Sequence, residues 1–166
     1  MIKLTIAHGT YNNVKKLEKT VDSIIGQLKS FPEVELLILD DSDNDISTKL
    51  MQKYTSSQIR YIKGTKKSID HAYIFLMNEG KGDYVWWFGD DQLYQNSIFR
   101  VLEIIKKNPD FVWLNSYGST KTKNFGIDLT LSGSEVIDKI GDLLLNLSSL
   151  LWKKSFLSPH LYVGKE

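Results

Sequence analysis

Short apolar, β-branched runs alternate with helix-length amphipathic segments along this chain, and that alternation restricts it to a few folds. The first run is Lys3–Ala7 (KLTIA). Over Val14–Leu28, apolar residues then recur at Val14, Leu17, Val21, Ile24, Ile25 and Leu28, the spacing of one helix face. Asn12 and Asn13 stand where a cap for that helix is needed. The second run, Val34–Leu39 (VELLIL), is almost continuously apolar, as in strands covered on both faces. A polar turn, Asp40 to Asp45, leads into a short helix ending near Tyr54, and Ile59–Ile62 reads as a third strand. Ser68–Asn78 is helical, with Ile69, Tyr73, Leu76 and Met77 on one face. Gly80 to Asp83 forms a turn before the fourth strand, Tyr84–Phe88 (YVWWF). Ser97–Lys107 is a helix ending at Asn108-Pro109, and Phe111–Leu114 is a fifth strand.

This order predicts an α/β fold with a mostly parallel central sheet flanked by helices. Trp86 and Trp87, adjacent on one strand, face opposite sides of that sheet. After Leu114 the pattern is less regular. A hairpin or loop occupies 116–131, a capping-box helix start falls at Ser132–Glu135, and an apolar helix runs around Leu143–Trp152. That last segment is far shorter than the roughly 20 residues of a membrane span.

Composition narrows the function. A length of 166 residues suits one domain, and a formal charge of +1 gives no electrostatic case for nucleic acid or an anionic membrane. The absence of cysteine excludes disulfides, zinc-thiolate sites, iron–sulfur clusters and cysteine nucleophiles. His8, His71 and His160 stand too far apart for metal-ligand spacing. The N-terminus reads as no signal peptide, so a cytoplasmic enzyme is expected, with peripheral contact at the inner membrane face open but not indicated.

In sheets of this kind ligands bind beyond the carboxyl ends of the strands. Three polar clusters fall there: Thr10-Tyr11-Asn12 after strand one, Asp40-Asp41 after strand two, and Asp90-Asp91 after strand four. Adjacent carboxylates repel unless a proton or a cation intervenes. A hard divalent cation takes oxygen ligands and commonly only one or two carboxylates when phosphates complete its shell. Gly89 gives a ligand room to approach. An Asp at a strand end can accept from a ribose hydroxyl or a base N–H, and a Tyr at a loop edge can stack on a base. Each cluster alone also fits a solvated turn or a helix start.

Taken together, KLTIAHGTYNN, ELLILDDSDND and KGDYVWWFGDDQL resemble the family 2 glycosyltransferases of GT-A fold, over about residues 2 to 115. The WWFGDDQ version is similar to members that build bacterial surface polysaccharide. The resemblance implies transfer of a sugar from a nucleotide-diphosphate sugar to a saccharide or lipid-linked acceptor, metal-dependent and inverting. Thr10 and Tyr11 would contact the nucleobase, Asp41 the base or its ribose, and Asp90 the ribose and sugar. Asp91, last carboxylate of a DxD-like motif, would hold Mn²⁺ or Mg²⁺ on the diphosphate. Residues 1–115 would form the nucleotide-sugar half of the domain and 116–166 part of its acceptor side.

The chain departs from the family pattern at several points. His8-Gly9 stands where an apolar residue and Pro are usual, Ser68 where a Gly is usual, and Gln92 where a further Asp is often found. The family's catalytic base normally lies well beyond the acidic pair, and only 75 residues follow Asp91 (166 − 91). That shortness implies a truncated chain or a shortened product, and an alternative in which the nucleotide sugar binds without turnover. Asp128, Glu135 and Asp138 are available carboxylates, but none sits in a motif, so the base stays unassigned. Lys66 and Lys67 read as a solvated face, and Asp70 and His71 as helix-start residues. A receiver domain is disfavoured because Thr-Tyr-Asn, not an acidic pair, follows the first strand. A nucleotidyltransferase is disfavoured because HGTYNN lacks a basic phosphate loop.

Overall fold

The structure is a computed structural model that describes residues 1–65, 68–114 and 150–157. The elements run β1 (Leu4–Thr10), α1 (Val14–Leu28), β2 (Val34–Asp40), α2 (Ile46–Met51), β3 (Ile59–Lys63), α3 (Ile69–Glu79), β4 (Tyr84–Phe88), α4 (Ser97–Ile105), β5 (Phe111–Trp113), β6 (Leu150–Lys153) and α5 (Lys154–Leu157). They form one six-stranded sheet in the order β3-β2-β1-β4-β6-β5. Strands β1 to β4 are parallel, whereas β6 runs antiparallel to both β4 and β5.

Side chains on a strand alternate between faces, and the two faces carry two cores. Leu4, Ile6, Leu36, Ile38, Trp86 and Phe88 meet the apolar stripes of α1 and α4. Ala7, Leu37, Leu39, Val85 and Trp87 meet Ala72, Leu76 and Met77 of α3. The two adjacent tryptophans therefore separate as expected. Trp86 packs edge-on to Phe88, and Trp87 lies 4.3 Å, centroid to centroid, from Tyr73.

The helix expected around Leu143–Trp152 is corrected at its end: Leu150–Lys153 is a strand inserted between β4 and β5. An unbroken apolar run does not separate a buried strand from a buried helix. Here Leu151 is wholly buried opposite Trp86, while Trp152 joins the α3 face, a period of two. The segments 116–131 and Ser132–Glu135 lie outside the described residues.

Gly82 makes the turn into β4 possible. A Cβ there would stand 2.6 Å from the Thr5 nitrogen and 2.7 Å from the Tyr84 carbonyl, both rigid backbone. Its N–H donates to Thr5 Oγ1 at 2.9 Å, and Thr5 Oγ1 donates to the buried Glu35 carboxylate at 2.8 Å. The chain winds outward from β1 through β2 to β3, then crosses back to place β4 on the other side of β1. The direction of winding reverses between β1 and β4, so a crevice opens beyond their carboxyl ends.

Candidate functional site

Two loops form one wall of that crevice, and hydrogen bonds clasp them together. The loop after β1 takes Asn12 through a left-handed conformation (φ 50°), which Asn tolerates better than most residues. Asn12 N–H donates to Ser42 Oγ at 2.8 Å, Asn12 Nδ2 donates to Asp43 Oδ2 at 2.7 Å, and Asn12 Oδ1 accepts from Asp43 N–H at 3.0 Å. Tyr11 donates its hydroxyl to Asp43 Oδ2 at 3.0 Å, and the residue is 60% exposed at the lip. Thr10 is buried at the end of β1, and its carbonyl accepts from Asp41 N–H at 3.0 Å.

The two carboxylates after strand two differ in their surroundings. Asp40 is wholly buried as the last residue of β2. It accepts from Ser42 N–H at 2.9 Å, the Tyr61 hydroxyl at 2.5 Å and Lys63 Nζ at 3.0 Å. Burial opposes its charge, but hydrogen bonds from Ser42, Tyr61 and Lys63 outweigh that and hold its pKa below the usual value. Asp40 therefore fixes the loop. Asp41, half-buried, lies over Gly64, where any Cβ would overlap its carboxylate.

The opposite wall is the loop after β4. Asp90, its side chain 34% exposed, accepts on Oδ2 from Asn13 Nδ2 at 3.1 Å and stands 3.5 Å from Lys16 Nζ. Asn13 is the N-cap residue of α1, but its side chain makes no cap bond and reaches across the crevice instead. Asp91 is exposed, and its carboxylate has no hydrogen bond or ion pair among the described residues. Its backbone is anchored: Thr20 Oγ1 donates to the Asp91 carbonyl at 2.8 Å. Beyond it, Leu93 N–H donates to Ser23 Oγ at 2.9 Å, and Gln27 Nε2 donates to the Tyr94 carbonyl at 3.0 Å. Lys16, Thr20, Ser23 and Gln27 follow a 4-3-4 spacing along one face of α1. That polar stripe is a readable signal in the sequence, and attention to apolar positions alone passes over it.

His8 closes the floor. It is wholly buried on β1, and its Nδ1 donates to the Phe88 carbonyl at 3.0 Å. Burial pushes its pKa down, against smaller opposing effects from the Phe88 backbone, Asp90 and the Gly89 backbone, which favours the neutral ring. With the proton on Nδ1, Nε2 is a bare acceptor, and it stands 4.0 Å from Asp90 Oδ1.

Thr10, Tyr11, Asp41, Asp90 and Asp91 thus sit at the carboxyl ends of the three neighbouring strands β2, β1 and β4. Adjacent strands are about 4.8 Å apart, so the two acidic loops flank a gap of roughly 10 Å. Lys66, Lys67, Asp128, Glu135 and Asp138 lie outside the described residues.

An acid-lined crevice at the winding reversal of a sheet in this order, with one late antiparallel strand, defines a GT-A glycosyltransferase fold. Residues 5–160 match the model of Glycosyl transferase family 2, and the chain belongs to that family. It is 30% identical over 125 residues to the poly(ribitol-phosphate) beta-N-acetylglucosaminyltransferase TarP of Staphylococcus aureus, covering 71% of this chain and 37% of TarP. In structure it is similar to S. aureus TarS in complex with UDP-GlcNAc, at a TM-score of 0.75 and 15% identity, covering 95% of this chain and 47% of that one. It is also similar to the mannosyltransferase PcManGT of Pyrobaculum calidifontis in complex with GDP-Man and Mn²⁺, at a TM-score of 0.67 and 13% identity, covering 95% and 46%. The chain therefore spans less than half the length of each of these proteins. No helix among the described residues is long and apolar enough to cross a membrane.

Proposed function

We propose that this chain binds a nucleotide-diphosphate sugar in the crevice between the 10–13, 41–45 and 89–94 loops and serves sugar transfer to a saccharide or lipid-linked acceptor. The observation that carries this is the meeting of Tyr11, Asp41, Asp90 and Asp91 at three adjacent strand ends. The family and the nucleotide sugars held by TarS and PcManGT support it.

Tyr11 offers its exposed ring to the base, with its tilt set by the hydroxyl's bond to Asp43. Thr10 and Asp41 border the base on the floor and the far side. Asp90, held by Asn13 and Lys16, accepts from ribose or sugar hydroxyls. Asp91 suits a hard divalent cation because it is an exposed carboxylate that no donor among the described residues occupies. Among the described residues no three acidic or imidazole groups cluster, so the remaining ligands would come from the diphosphate. Mn²⁺ or Mg²⁺ bound there would supply positive charge opposite the leaving diphosphate.

The reaction is a single displacement with inversion. An acceptor hydroxyl oxygen bonds to the anomeric carbon as the bond to the diphosphate oxygen breaks, and a carboxylate base takes the hydroxyl proton. The base is unassigned. In domain terms, residues 1–115 form the nucleotide-sugar half and 116–166 part of the acceptor side.

Paramagnetic mapping tests the reading. Mn²⁺ added with nucleotide diphosphates should broaden the amide signals of residues 89–92 first, and neither component alone should do so. Broadening elsewhere, or none, would refute it. Binding without transfer would select the second reading, a sugar-donor-binding unit without its base.

A further inference from the structure

A buried imidazole nitrogen without a hydrogen-bond partner is uncommon in a folded protein and calls for an explanation. His8 Nε2 is such an atom among the described residues: enclosed, unpaired, and facing the Asp90 carboxylate across 4.0 Å. Nδ1 is committed to the Phe88 carbonyl, and Asp90 Oδ2 is held by Asn13 and Lys16. What remains is a pair of acceptors, Nε2 and Oδ1, with no proton between them. Two lone pairs held this close invite a partner that carries hydrogens.

We propose that His8 is a specificity-determining residue of the sugar-donor site and that Nε2 and Asp90 Oδ1 together read a vicinal diol of the ligand. The inference rests on the reading of the crevice as a nucleotide-sugar site. One hydroxyl donates to Oδ1 and its neighbour to Nε2, after a small swing of the Asp90 side chain uncovers the ring nitrogen. Two hydrogen bonds of about 2.8 Å from adjacent hydroxyls span acceptors at this separation. A single hydroxyl has one proton and satisfies one acceptor only. A phosphate brings acceptors alone and is repelled. The diol is that of the ribose or that of the transferred sugar, and both present the same chemistry.

The variants are His8→Leu, which fills the site without an acceptor, His8→Asn, which keeps a group near Nδ1 but does not reach Nε2, and His8→Gln, whose amide oxygen reaches the Nε2 position. The probes, each with Mn²⁺, are UDP, GDP and CDP against dUDP, dGDP and dCDP for the ribose, and each diphosphate against its glucose and mannose conjugates for the sugar. The parent chain should favour the diol-bearing member of one pair by about tenfold. His8→Leu and His8→Asn should bring that preference close to one, and His8→Gln should restore most of it. Thermal unfolding checks that the variants fold, and His8→Asn carries the test if His8→Leu does not. Loss of preference in the ribose pair assigns the diol to ribose, and loss in the conjugate pair assigns it to the sugar. Nucleotides that bind the parent with a preference unchanged in His8→Asn overturn this inference and leave the site reading intact. If no nucleotide binds the folded parent, the site reading falls, and the inference with it.

Discussion

Thr20 and Asp91, 71 positions apart, are joined by a hydrogen bond from the threonine hydroxyl to the aspartate carbonyl at 2.8 Å. Thr20 is wholly buried, whereas the Asp91 carboxylate is exposed. The main chain of the acidic loop is thus fixed while its side chain stays available. Thr20→Val keeps the shape of the residue and leaves the carbonyl unpaired, which should cost about 1–2 kcal/mol in chemical unfolding. Nucleotide affinity should fall with it, because the loop loses its anchor. Unchanged affinity at reduced stability would show that the bond serves folding alone.

Asp40 should govern acid stability. Its folded pKa lies below the unfolded value, so its contribution is complete above the ordinary carboxylate range and is lost as pH falls through the folded value. Asp40→Asn removes the charge that Tyr61 and Lys63 address inside the fold, and should cost about 3 kcal/mol at neutral pH. Unfolding followed from about pH 5 to pH 2 should decline more steeply in the parent than in the variant. Parallel curves would exclude Asp40 as the titrating group.

Gly64 holds space for Asp41. A Cβ at Gly64 would overlap the Asp41 carboxylate and stand 3.1 Å from Leu39 Cδ1, so Gly64→Ala should turn the carboxylate away. Nucleotide affinity should drop about tenfold, as for removal of one hydrogen-bonded partner. In an Asp41→Ala background the same change should add little, and a double-mutant cycle measures that coupling. Full additivity would mean that Gly64 acts through some other group.

Tyr11 should separate stacking from hydrogen bonding. Tyr11→Phe loses the bond to Asp43 but keeps the exposed ring, and affinity should change little. Tyr11→Ala should lose about 1–3 kcal/mol of binding, the range for one base stacked on an aromatic ring. Equal losses in both variants would place the base elsewhere.

Much of this architecture is legible in the amino-acid sequence, and the physical reasons are particular. The alternation of apolar runs with 3.6-period segments places β4 at Tyr84–Phe88 and α1 at Val14–Leu28 without error, because both elements have strong faces. Asp90 and Asp91 are visible because two adjacent carboxylates at a strand end need a reason to be there. Strand β6 is not legible, since an apolar segment like Leu150–Trp152 declares its type only through its neighbours. The buried, bonded state of Asp40 is hidden too, because it depends on Tyr61 and Lys63, which reach Asp40 from β3. Asn13 looks like a cap and instead bonds Asp90, a contact that spans 77 positions and leaves no local trace.

The most direct measurement is calorimetric titration of UDP, GDP, CDP and dTDP, each with and without Mn²⁺, into the parent chain and Asp91→Ala. One nucleotide should bind the parent only with the metal, and Asp91→Ala should fold normally, with that binding gone. Metal-independent binding, or binding that survives in Asp91→Ala, would contradict the assignment of Asp91 to the metal and the diphosphate.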